Sequence, residues 1–348
     1  MVKKFLKQSL SSFLFYSGMF SSLKFLSARI HKRALILCYH RVVTGPPDFY
    51  STPGTQVDLR NFRSHLQFVL RNYHIISLSK LVKELAERKE ISYKDCVVLT
   101  FDDGFIDGYT SIFPLLKEFN VPATFFVSPS AVSSGSLYWA DQLWHWLNCA
   151  NGATTHFRFG DLLLPMVSPI DKLNSRNQII RVLSSQRPQQ RDEILAELKV
   201  SLGLAGQDTS AKNLMLPYEH ISEMIASGLV EIGAHSLSHP MFPFCSEDQV
   251  EIEVRDSKDN LEALLGSRID SFAYPFGKYT PKAVEAVRGC GYKAAVTTQD
   301  GLVQAGDDPF LLKRVNVFRD DTAVSLAALK IMTLYLKHIF DFSANERE

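Results

Sequence analysis

The sequence predicts an α/β fold built on a parallel β-sheet, either open or closed into a barrel. Short apolar runs that suit buried strands alternate with amphipathic segments that suit helices along most of the 348 residues. Such alternation is typical of parallel sheets, because parallel strands need a long crossover between them. The residues best suited to chemistry directly follow the apolar runs, and α/β barrels build their active sites at these C-terminal strand ends.

Strands and helices are predicted in turn between residues 33 and 317. Apolar runs of four to eight residues indicate strands buried on both faces, and apolar residues recurring every three or four positions indicate amphipathic helices. The predicted strands are residues 33–40, 96–101, 123–127, 230–234, 271–274, 293–297 and 313–317. The predicted helices are residues 58–72, 79–89, 110–119, 246–266 and 281–289.

Residues 1–33 form a basic amphipathic segment before the first strand. The segment contains seven Lys and Arg residues and no Asp or Glu. Ser residues interrupt its apolar stretches, so it resembles neither a signal peptide nor a spanning helix. Two interpretations remain, a helix on an anionic membrane surface and a helix packed on the protein's own core. We therefore expect a cytoplasmic protein, either free or peripheral on the inner face of the membrane. The apolar residues at helical spacing are Leu6, Leu10, Phe13, Tyr16, Phe20, Leu23 and Leu26.

The strand–helix alternation stops between residues 141 and 215, which we interpret as a helical insertion able to cover the site. The barrel is then expected to comprise residues 34–140 and 216–320. Residues 321–348 are predicted to form a C-terminal helix and tail, with the amphipathic part at 322–341.

Charge and cysteine content narrow the function further. The net charge of +1 gives no general attraction to nucleic acid, and no zinc finger, P-loop or dinucleotide fingerprint is present. The five cysteines are odd in number and widely spaced, without a C-x-x-C pair. Free thiols in a reducing compartment are therefore expected.

Asp102 and Asp103 end the predicted strand 96–101 and precede Gly104. Neighbouring side chains of an ideal strand point to opposite faces, but the chain turns at a strand end, and glycine permits unusual dihedral angles there. The two carboxylates can therefore face one pocket, one as a metal ligand and the other as a base. A surface turn or a helix N-cap is the alternative for this pair taken alone.

His235 and His239 lie four residues apart after the predicted strand 230–234. On a helical turn this spacing brings both rings to one face, as a pair of metal ligands requires. Ser236 and Ser238 can hold the loop through hydrogen bonds to the backbone. Together with the aspartate pair, these histidines suit hydrolysis of an amide or ester by metal-activated water.

These two motifs carry a family resemblance. Thr100-Phe-Asp-Asp-Gly104 followed by His235-Ser-x-x-His239 resembles the first two motifs of the polysaccharide deacetylases, carbohydrate esterase family four, which share the nodulation-factor deacetylase homology domain. The resemblance covers about residues 34–318 outside the insertion. It implies a distorted (β/α)7-type barrel with Asp102 as catalytic base. The ligands it implies for a divalent metal, zinc with cobalt or nickel as alternatives, are Asp103, His235 and His239.

Tyr274-Pro275-Phe276-Gly277 resembles the third motif of that family, which ends in Pro-Tyr/Phe-Gly. Because proline has no N–H, the next donor is the Phe276 amide, which can face the oxyanion of a tetrahedral intermediate. An ordinary turn after a strand is the alternative. On the same motif, we assign Tyr274 and Pro275 to substrate binding.

The chain departs from the family pattern two residues before this proline. Many members carry an Arg there that contacts the base, whereas this chain has Ala273. Arg314, on the last predicted strand, is our candidate for the missing cation. A purely structural ion pair is the alternative for Arg314.

The general acid is a second departure. Family members often place a His in a Leu-x-His run near the C-terminus, but Leu336-Lys337-His338 lies in the predicted tail helix and is interpreted as accidental. The chain instead resembles circularly permuted members, which carry the corresponding strand at the N-terminus with a Tyr-His sequence. Leu37-Cys-Tyr-His40 fits that description. We predict His40 as general acid, with a histidine hydrogen-bonded beneath the site as the alternative.

An aromatic cluster marks the start of the insertion. Trp139, Trp144 and Trp146 lie close to Asp141 in the sequence. Aromatic faces stack on sugar rings, so Trp139 is assigned to substrate binding. Packing of an aromatic helix face against the barrel is the alternative.

The sequence thus predicts a metal-dependent hydrolase that removes acetyl groups from N-acetylated sugars of a polysaccharide or lipid-linked glycan. Three alternatives remain: an O-acetyl esterase, another C–N hydrolase, and an inactive saccharide-binding barrel. A non-haem iron oxygenase shares the two-His, one-carboxylate set, but the adjacent aspartate has no evident use there. The expected partners are the glycan and an anionic membrane surface contacting residues 1–33, without nucleic acid.

Overall fold

The structure is a computed structural model that describes residues 17–30, 32–88, 91, 95–150, 156–184, 186–206, 213–332 and 334–335. The strands are β1 Arg33–Tyr39, β2 Arg41–Val43, β3 Gln56–Asp58, β4 His74–Ile75, β5 Asp95–Phe101, β6 Ala123–Val127, β7 His156–Phe159, β8 Leu162–Pro165, β9 Val230–Ala234, β10 Ser271–Ala273, β11 Ala294–Val296, β12 Val303–Gln304 and β13 Val315–Asn316.

The α-helices are α1 Met19–Ile30, α2 Leu59–Asn72, α3 Leu78–Arg88, α4 Phe113–Phe119, α5 Pro129–Ser134, α6 Trp139–Cys149, α7 Pro169–Leu183, α8 Pro188–Ser201, α9 Tyr218–Ala226, α10 Glu247–Leu265, α11 Pro281–Gly289 and α12 Ala323–Ser325. Shorter 3-10 turns lie at Pro53–Thr55, Phe242–Phe244 and Pro275–Gly277, and π-helical turns at Gly108–Ile112 and Leu326–Ile331.

A single curled sheet carries the candidate site. Its strand order is β11-β10-β9-β6-β5-β1-β12, with β4 beside β5 and β13 beside β1. The pairs from β1 through β5, β6, β9 and β10 to β11 are all parallel, whereas β12 runs antiparallel to β1. This architecture confirms the predicted α/β fold with a distorted barrel.

Residues 312–316 pair with the strands at both ends of the parallel part of this sheet. Leu312 forms a parallel bridge to Val296 of β11, and Val315 pairs with Leu37 of β1. The segment therefore contacts both terminal parallel strands. Its central residue, Arg314, lies between them and is fully buried.

The sequence prediction missed the shortest elements. Strands β2, β3, β4 and β12 contain two or three residues each, too few for an alternation pattern to be recognised. The predicted helix 110–119 is instead a π-helical turn followed by α4. The predicted strand 313–317 is reduced to the two residues of β13.

The insertion also differs from an all-helical one, because it contains an antiparallel β-hairpin. Strands β7 and β8 are joined at Gly160, which has φ 57°. The hairpin contributes Phe157 and Leu164 to a separate apolar core shared with α6, α7 and α8. This core includes Trp139, Leu143, Trp146, Ile179, Leu183 and Leu198.

Helix α1 packs against the barrel through Phe20. The Phe20 ring lies 5.6 Å from the ring of Phe68 and 6.3 Å from that of Tyr335. Lys24 lies over the ring of Tyr73 at 4.5 Å. Residues 1–16 and the Leu336–His338 run lie outside the described residues. Most of the predicted terminal helix 322–341 is described, as α12 and the π-helical turn Leu326–Ile331. Among the helices that are described, none combines the length and apolarity needed to span a bilayer.

Candidate active site

The candidate catalytic and metal-ligating side chains occupy one end of the barrel, where the parallel strands terminate. Asp102 directly follows β5, and its backbone N–H donates to the Tyr39 carbonyl at 2.9 Å. His235 directly follows β9, and its N–H donates to the Val127 carbonyl at 2.9 Å. These backbone bonds continue the sheet pairing for one residue and bring the two side chains to a common edge. His40 follows β1 at the same edge.

Arg314 holds Asp102 through two nearly parallel hydrogen bonds. Its Nη1 donates to Asp102 Oδ1 at 2.8 Å, and its Nη2 donates to Oδ2 at 2.7 Å. Further bonds run from Arg314 to the Thr297 carbonyl at 2.8 Å and to the Thr100 hydroxyl at 3.2 Å. Burial opposes ionisation of Asp102, but Arg314 outweighs it and holds the pKa of this carboxyl far below its usual range. Asp102 is therefore ionised, and its carboxylate is held in one orientation.

Asp103, His235 and His239 converge on a second point beside Asp102. The Nε2 atoms of His235 and His239 lie 3.4 Å and 3.5 Å from the same Asp103 oxygen, Oδ1. The ligand atoms of these three residues all lie within 4.8 Å of one another. Asp103 has φ 73°, a left-handed conformation that is sparsely populated by non-glycine residues.

Neighbouring groups orient both imidazoles. His235 donates from Nδ1 to the Ala273 carbonyl at 2.8 Å, which orients the ring with Nε2 toward Asp103. Tyr138 stacks on the His239 ring with centroids 4.4 Å apart, and its hydroxyl donates to the Asp103 carbonyl at 2.9 Å. The sequence analysis did not identify Tyr138, and its only sequence signal was its position beside the Trp139 cluster.

Burial and the charges of the site set the protonation of this triad. Burial opposes protonation of His235, but Asp103 and the nearby Asp102 outweigh that effect and raise its pKa, so a bound cation would displace its proton. Burial lowers the pKa of His239 to about 3, so its ring is neutral at physiological pH. Burial opposes ionisation of Asp103, but its hydrogen bond with His235 and the nearby His40 outweigh that effect and lower its pKa. Among the described residues, the buried Nδ1 of His239 has no hydrogen-bond partner. A neutral imidazole and an ionised carboxylate are the forms that bind metals, so the donor set fits a divalent cation.

A second set of potential ligands, Cys38, His40 and Asp102, lies within the same distance limit. The Cys38 thiol donates to Asp102 Oδ2 at 3.5 Å, and burial raises the pKa of this thiol well above its usual value. Both oxygens of Asp102 already accept bonds from Arg314. A cation here would face a protonated thiol and a guanidinium, so the Asp103 triad is the better candidate.

A cavity of about 190 Å³ opens onto both carboxylates. Asp141, at its edge, is half-buried, and burial followed by the nearby Asp103 raises its pKa to about 7. The lining residues are His40, Ser51, Thr52, Thr55, Asp102, Asp103, Ala140, Asp141, Arg176, His235, His239, Phe276, Gly277 and Thr298.

The third motif reaches the cavity through Phe276. This residue has φ 56° inside the Pro275–Gly277 turn, and its ring lies 4.7 Å from that of His239. Gly277 also has a positive φ of 65°, and a Cβ built there would lie 1.8 Å from Thr298 Oγ1. Glycine is therefore required for the close approach of this turn to Thr298.

The structure does not bring Tyr274, Pro275 and Trp139 to the cavity wall, which corrects their assignment to substrate binding. Tyr274 and Pro275 are buried, and the Tyr274 hydroxyl donates to the Phe310 carbonyl at 3.1 Å. Trp139 is 7% exposed and belongs to the core of the insertion. These residues are apolar or aromatic, and they lie at the end of a strand or the start of a helix. Burial in the barrel core or in the insertion core removes their apolar surface from water, which exposure at the site would not do.

Comparisons of the sequence with known proteins found one family model and one similar protein. The family model described as polysaccharide deacetylase matches residues 89–156 and 184–295, more than half of the chain. YxkH of Bacillus subtilis (strain 168), which is named as a polysaccharide deacetylase, is 21% identical over 81% of this chain and 70% of its own length.

Two solved structures share the fold. The Streptococcus pyogenes deacetylase PplD, in complex with acetate, has a TM-score of 0.57 at 20% identity and covers 86% of this chain and 98% of its own. IcaB from Ammonifex degensii has a TM-score of 0.57 at 21% identity and covers 85% of this chain and 96% of its own.

Proposed function

This chain belongs to the polysaccharide deacetylase family, and on that basis we propose that it hydrolyses the N-acetyl groups of an acetamido sugar in a polysaccharide or lipid-linked glycan. Family membership makes the chain a deacetylase-type hydrolase. One observation carries the finer proposal: the metal-ligating triad and an Arg-bound carboxylate line the same cavity from adjacent positions, Asp103 and Asp102.

Asp103, His235 and His239 are the residues that would hold a divalent cation. When bound, such a cation supplies a Lewis acid that polarises the acetyl carbonyl and lowers the pKa of water. Two imidazoles and one carboxylate form a familiar set for catalytic zinc, and cobalt or nickel accept the same donors.

Asp102 is the proposed base for the attacking water. Its carboxylate remains ionised because Arg314 stabilises the negative charge. Both side chains are buried, and two hydrogen bonds join them. The bidentate bonds also restrict rotation of the carboxylate. Arg314 thereby acts on the reaction by positioning Asp102.

His40 and Phe276 complete the proposed machinery. His40 lines the cavity together with both aspartates, from which it can deliver a proton to the departing amine. The Phe276 backbone amide follows Pro275 in the turn that borders the cavity, and an amide at this position can donate to the oxyanion. The products would be acetate and a free amino sugar.

Acetate release from a panel of acetylated sugars tests this proposal. The purified, metal-loaded protein is assayed with free N-acetylglucosamine oligomers, lipid-linked acetamido sugars, O-acetylated sugars and formamido sugars. We expect acetate from the N-acetylated members and no release by Asp102→Asn, which preserves the shape of the side chain. Acetate only from O-acetyl sugars would favour an esterase, and sugar binding without turnover would favour an inactive binding barrel.

We also propose that residues 1–33 attach the protein to an anionic membrane surface, on the cytoplasmic side. In α1, Phe25 is 61% exposed and Met19 is 38% exposed, although Phe20 on the same helix is buried. The basic residues Lys3, Lys4 and Lys7 precede the helix. Flotation with phosphatidylserine vesicles tests this idea: replacing these three lysines by glutamine should abolish binding, and unchanged flotation would contradict it.

A further inference from the structure

The insertion forms one wall of the active-site cavity. It contributes Asp141 from the first turn of α6 and Arg176 from the middle of α7, beside Ala140, the last residue before the insertion. The family model matches residues 89–156 and 184–295, so Arg176 lies in a stretch that the family pattern leaves out. Ala140 and Asp141 lie inside the matched stretch, so Arg176 is the part of this wall that the family pattern does not include.

The charged groups of the wall have unused hydrogen-bonding capacity. Within the described ranges, neither carboxylate oxygen of Asp141 accepts a protein hydrogen bond. Arg176 makes two long bonds, from Nε to the Ala140 carbonyl at 3.3 Å and from Nη1 to the side chain of Asn177 at 3.4 Å. Polar groups at a partly dehydrated surface gain free energy from a ligand that supplies the missing partners.

The charge distribution of the cavity favours a neutral polar ligand. Asp102 is already neutralised by Arg314, and Asp103 faces the metal position. Arg176 then adds a cationic donor group. Asp141, whose pKa lies at about 7, adds an acceptor group with a partial negative charge. An anionic substituent would be attracted by Arg176 but repelled by the nearby Asp141. Hydroxyl groups can donate a hydrogen bond to Asp141 and accept one from Arg176.

The size of the cavity limits how much of a glycan it can take. Its volume of about 190 Å³ is below the range of roughly 300–1,000 Å³ that is typical of sites for drug-sized ligands. A single sugar ring is the appropriate occupant, with the remainder of the glycan outside.

We propose that Asp141 and Arg176 together bind hydroxyl groups of one uncharged acetamido sugar ring, and so determine the specificity of the deacetylase. This inference rests on the proposed function. Asp141 accepts a hydrogen bond from one ring hydroxyl, and Arg176 donates to another. The pair thereby selects sugars with free hydroxyls over acetylated amines without a ring.

Sugar binding tests the inference separately from turnover. Binding of an N-acetylglucosamine oligomer is measured by calorimetry in a metal-loaded Asp102→Asn background, whose fold is checked by circular dichroism. We expect Asp141→Ala and Arg176→Met to weaken binding at least about tenfold each, as loss of a hydrogen bond to a charged group predicts. The matched controls are Asp161→Ala and Arg181→Met, exposed residues of the same insertion outside the cavity, which should bind like the background.

Steady-state kinetics in the otherwise wild-type protein provide the second readout. The two cavity variants should raise KM for the sugar about tenfold with kcat within about threefold, because the contacts hold the ring rather than the reacting atoms. The matched controls Asp161→Ala and Arg181→Met should keep the KM and kcat of the wild type.

The outcomes separate the two proposals. Equal sugar binding by the cavity variants and their controls would overturn the inference even if acetate is released. Weakened binding in the cavity variants would support it even if the sugar is never hydrolysed, which would contradict only the proposed function. A loss restricted to sugars that carry a carboxylate would also overturn the inference, because Arg176 would then recognise an anion.

Discussion

Arg314 and Asp102 form a fully buried ion pair whose partners are 212 residues apart in the sequence. Arg314 remains our candidate for the arginine that many deacetylases carry in the third motif, where this chain has Ala273. The guanidinium reaches the carboxylate from the segment that closes the barrel between β11 and β1. The same pair therefore connects the stability of the barrel to the orientation of the proposed base.

We expect Arg314→Met to destabilise the fold by about 3–5 kcal/mol, because it leaves the Asp102 charge buried without its partner. The control is Arg288→Met, which removes a half-exposed ion pair with Asp308 and should cost no more than about 1 kcal/mol. Urea unfolding at a fixed metal concentration measures both. Adding Asp102→Asn to Arg314→Met should restore part of the stability, and strictly additive losses would contradict a coupled pair.

The metal content of purified variants should distinguish the role of Asp102 from that of its neighbour Asp103. Asp103→Asn and His235→Ala each remove one of three ligands and should lose most of the bound metal. Asp102→Asn should retain it, because Asp102 is held by Arg314 instead. Mass-spectrometric metal analysis after dialysis gives the stoichiometry, with the exposed His156→Ala as control. Loss of metal from Asp102→Asn would show that the two carboxylates do not have separate roles.

The proposed role of His40 predicts a dependence on the leaving group. His40→Asn should reduce acetate release from an acetamido sugar roughly 100- to 10,000-fold, since a departing amine needs a proton. Hydrolysis of para-nitrophenyl acetate should change little, because nitrophenolate departs without protonation. Comparable losses with both substrates would assign His40 to a purely structural role.

Gly277 should be more sensitive to substitution than a glycine of the same backbone conformation elsewhere. Gly277→Ala and Gly266→Ala both place a Cβ at positive φ, which costs about 1–2 kcal/mol, but only the Gly277 Cβ meets Thr298. We expect larger destabilisation and lower activity for Gly277→Ala, because the turn carrying Phe276 must shift. Thr298→Gly should recover part of the loss; failure of this rescue would locate the defect elsewhere.

His65 should make the fold sensitive to acid. Its ring is fully buried between the Tyr39 hydroxyl and the Asp321 carbonyl, and burial lowers its pKa to about 4. The unfolded chain takes up the proton near the ordinary value of about 6.5, so stability falls as pH decreases from about 6.5 to about 4. The loss should reach about 3 kcal/mol.

Urea unfolding of wild type and His65→Gln across this pH range measures the effect. The other histidines are present in both proteins, so the difference between the two isolates His65. The gap in unfolding free energy should narrow as pH falls, and a gap that is independent of pH would contradict the lowered pKa.

The sequence alone predicted which strand ends carry the polar motifs. Apolar runs such as 96–101 and 230–234 locate strands reliably, and parallel strands end at a common edge. The sequence patterns did not predict β2 and β3, which are too short to show alternation, or the hairpin β7–β8. They also could not separate Tyr274, which is buried in the core, from Phe276, which lines the cavity, because neighbouring residues in a turn differ only by backbone dihedral angles.

The sequence by itself therefore determined the α/β class, the family, and the grouping of Asp102, Asp103, His235 and His239, because local periodicity and short motifs report on strand ends. Only the tertiary structure decided that Arg314 pairs with Asp102 and that Asp141 and Arg176 form a wall of the same cavity. These contacts join segments that are distant in the chain, and they depend on how the sheet closes and the insertion packs. No local pattern encodes such packing, because it results from the burial of apolar surface by the whole chain.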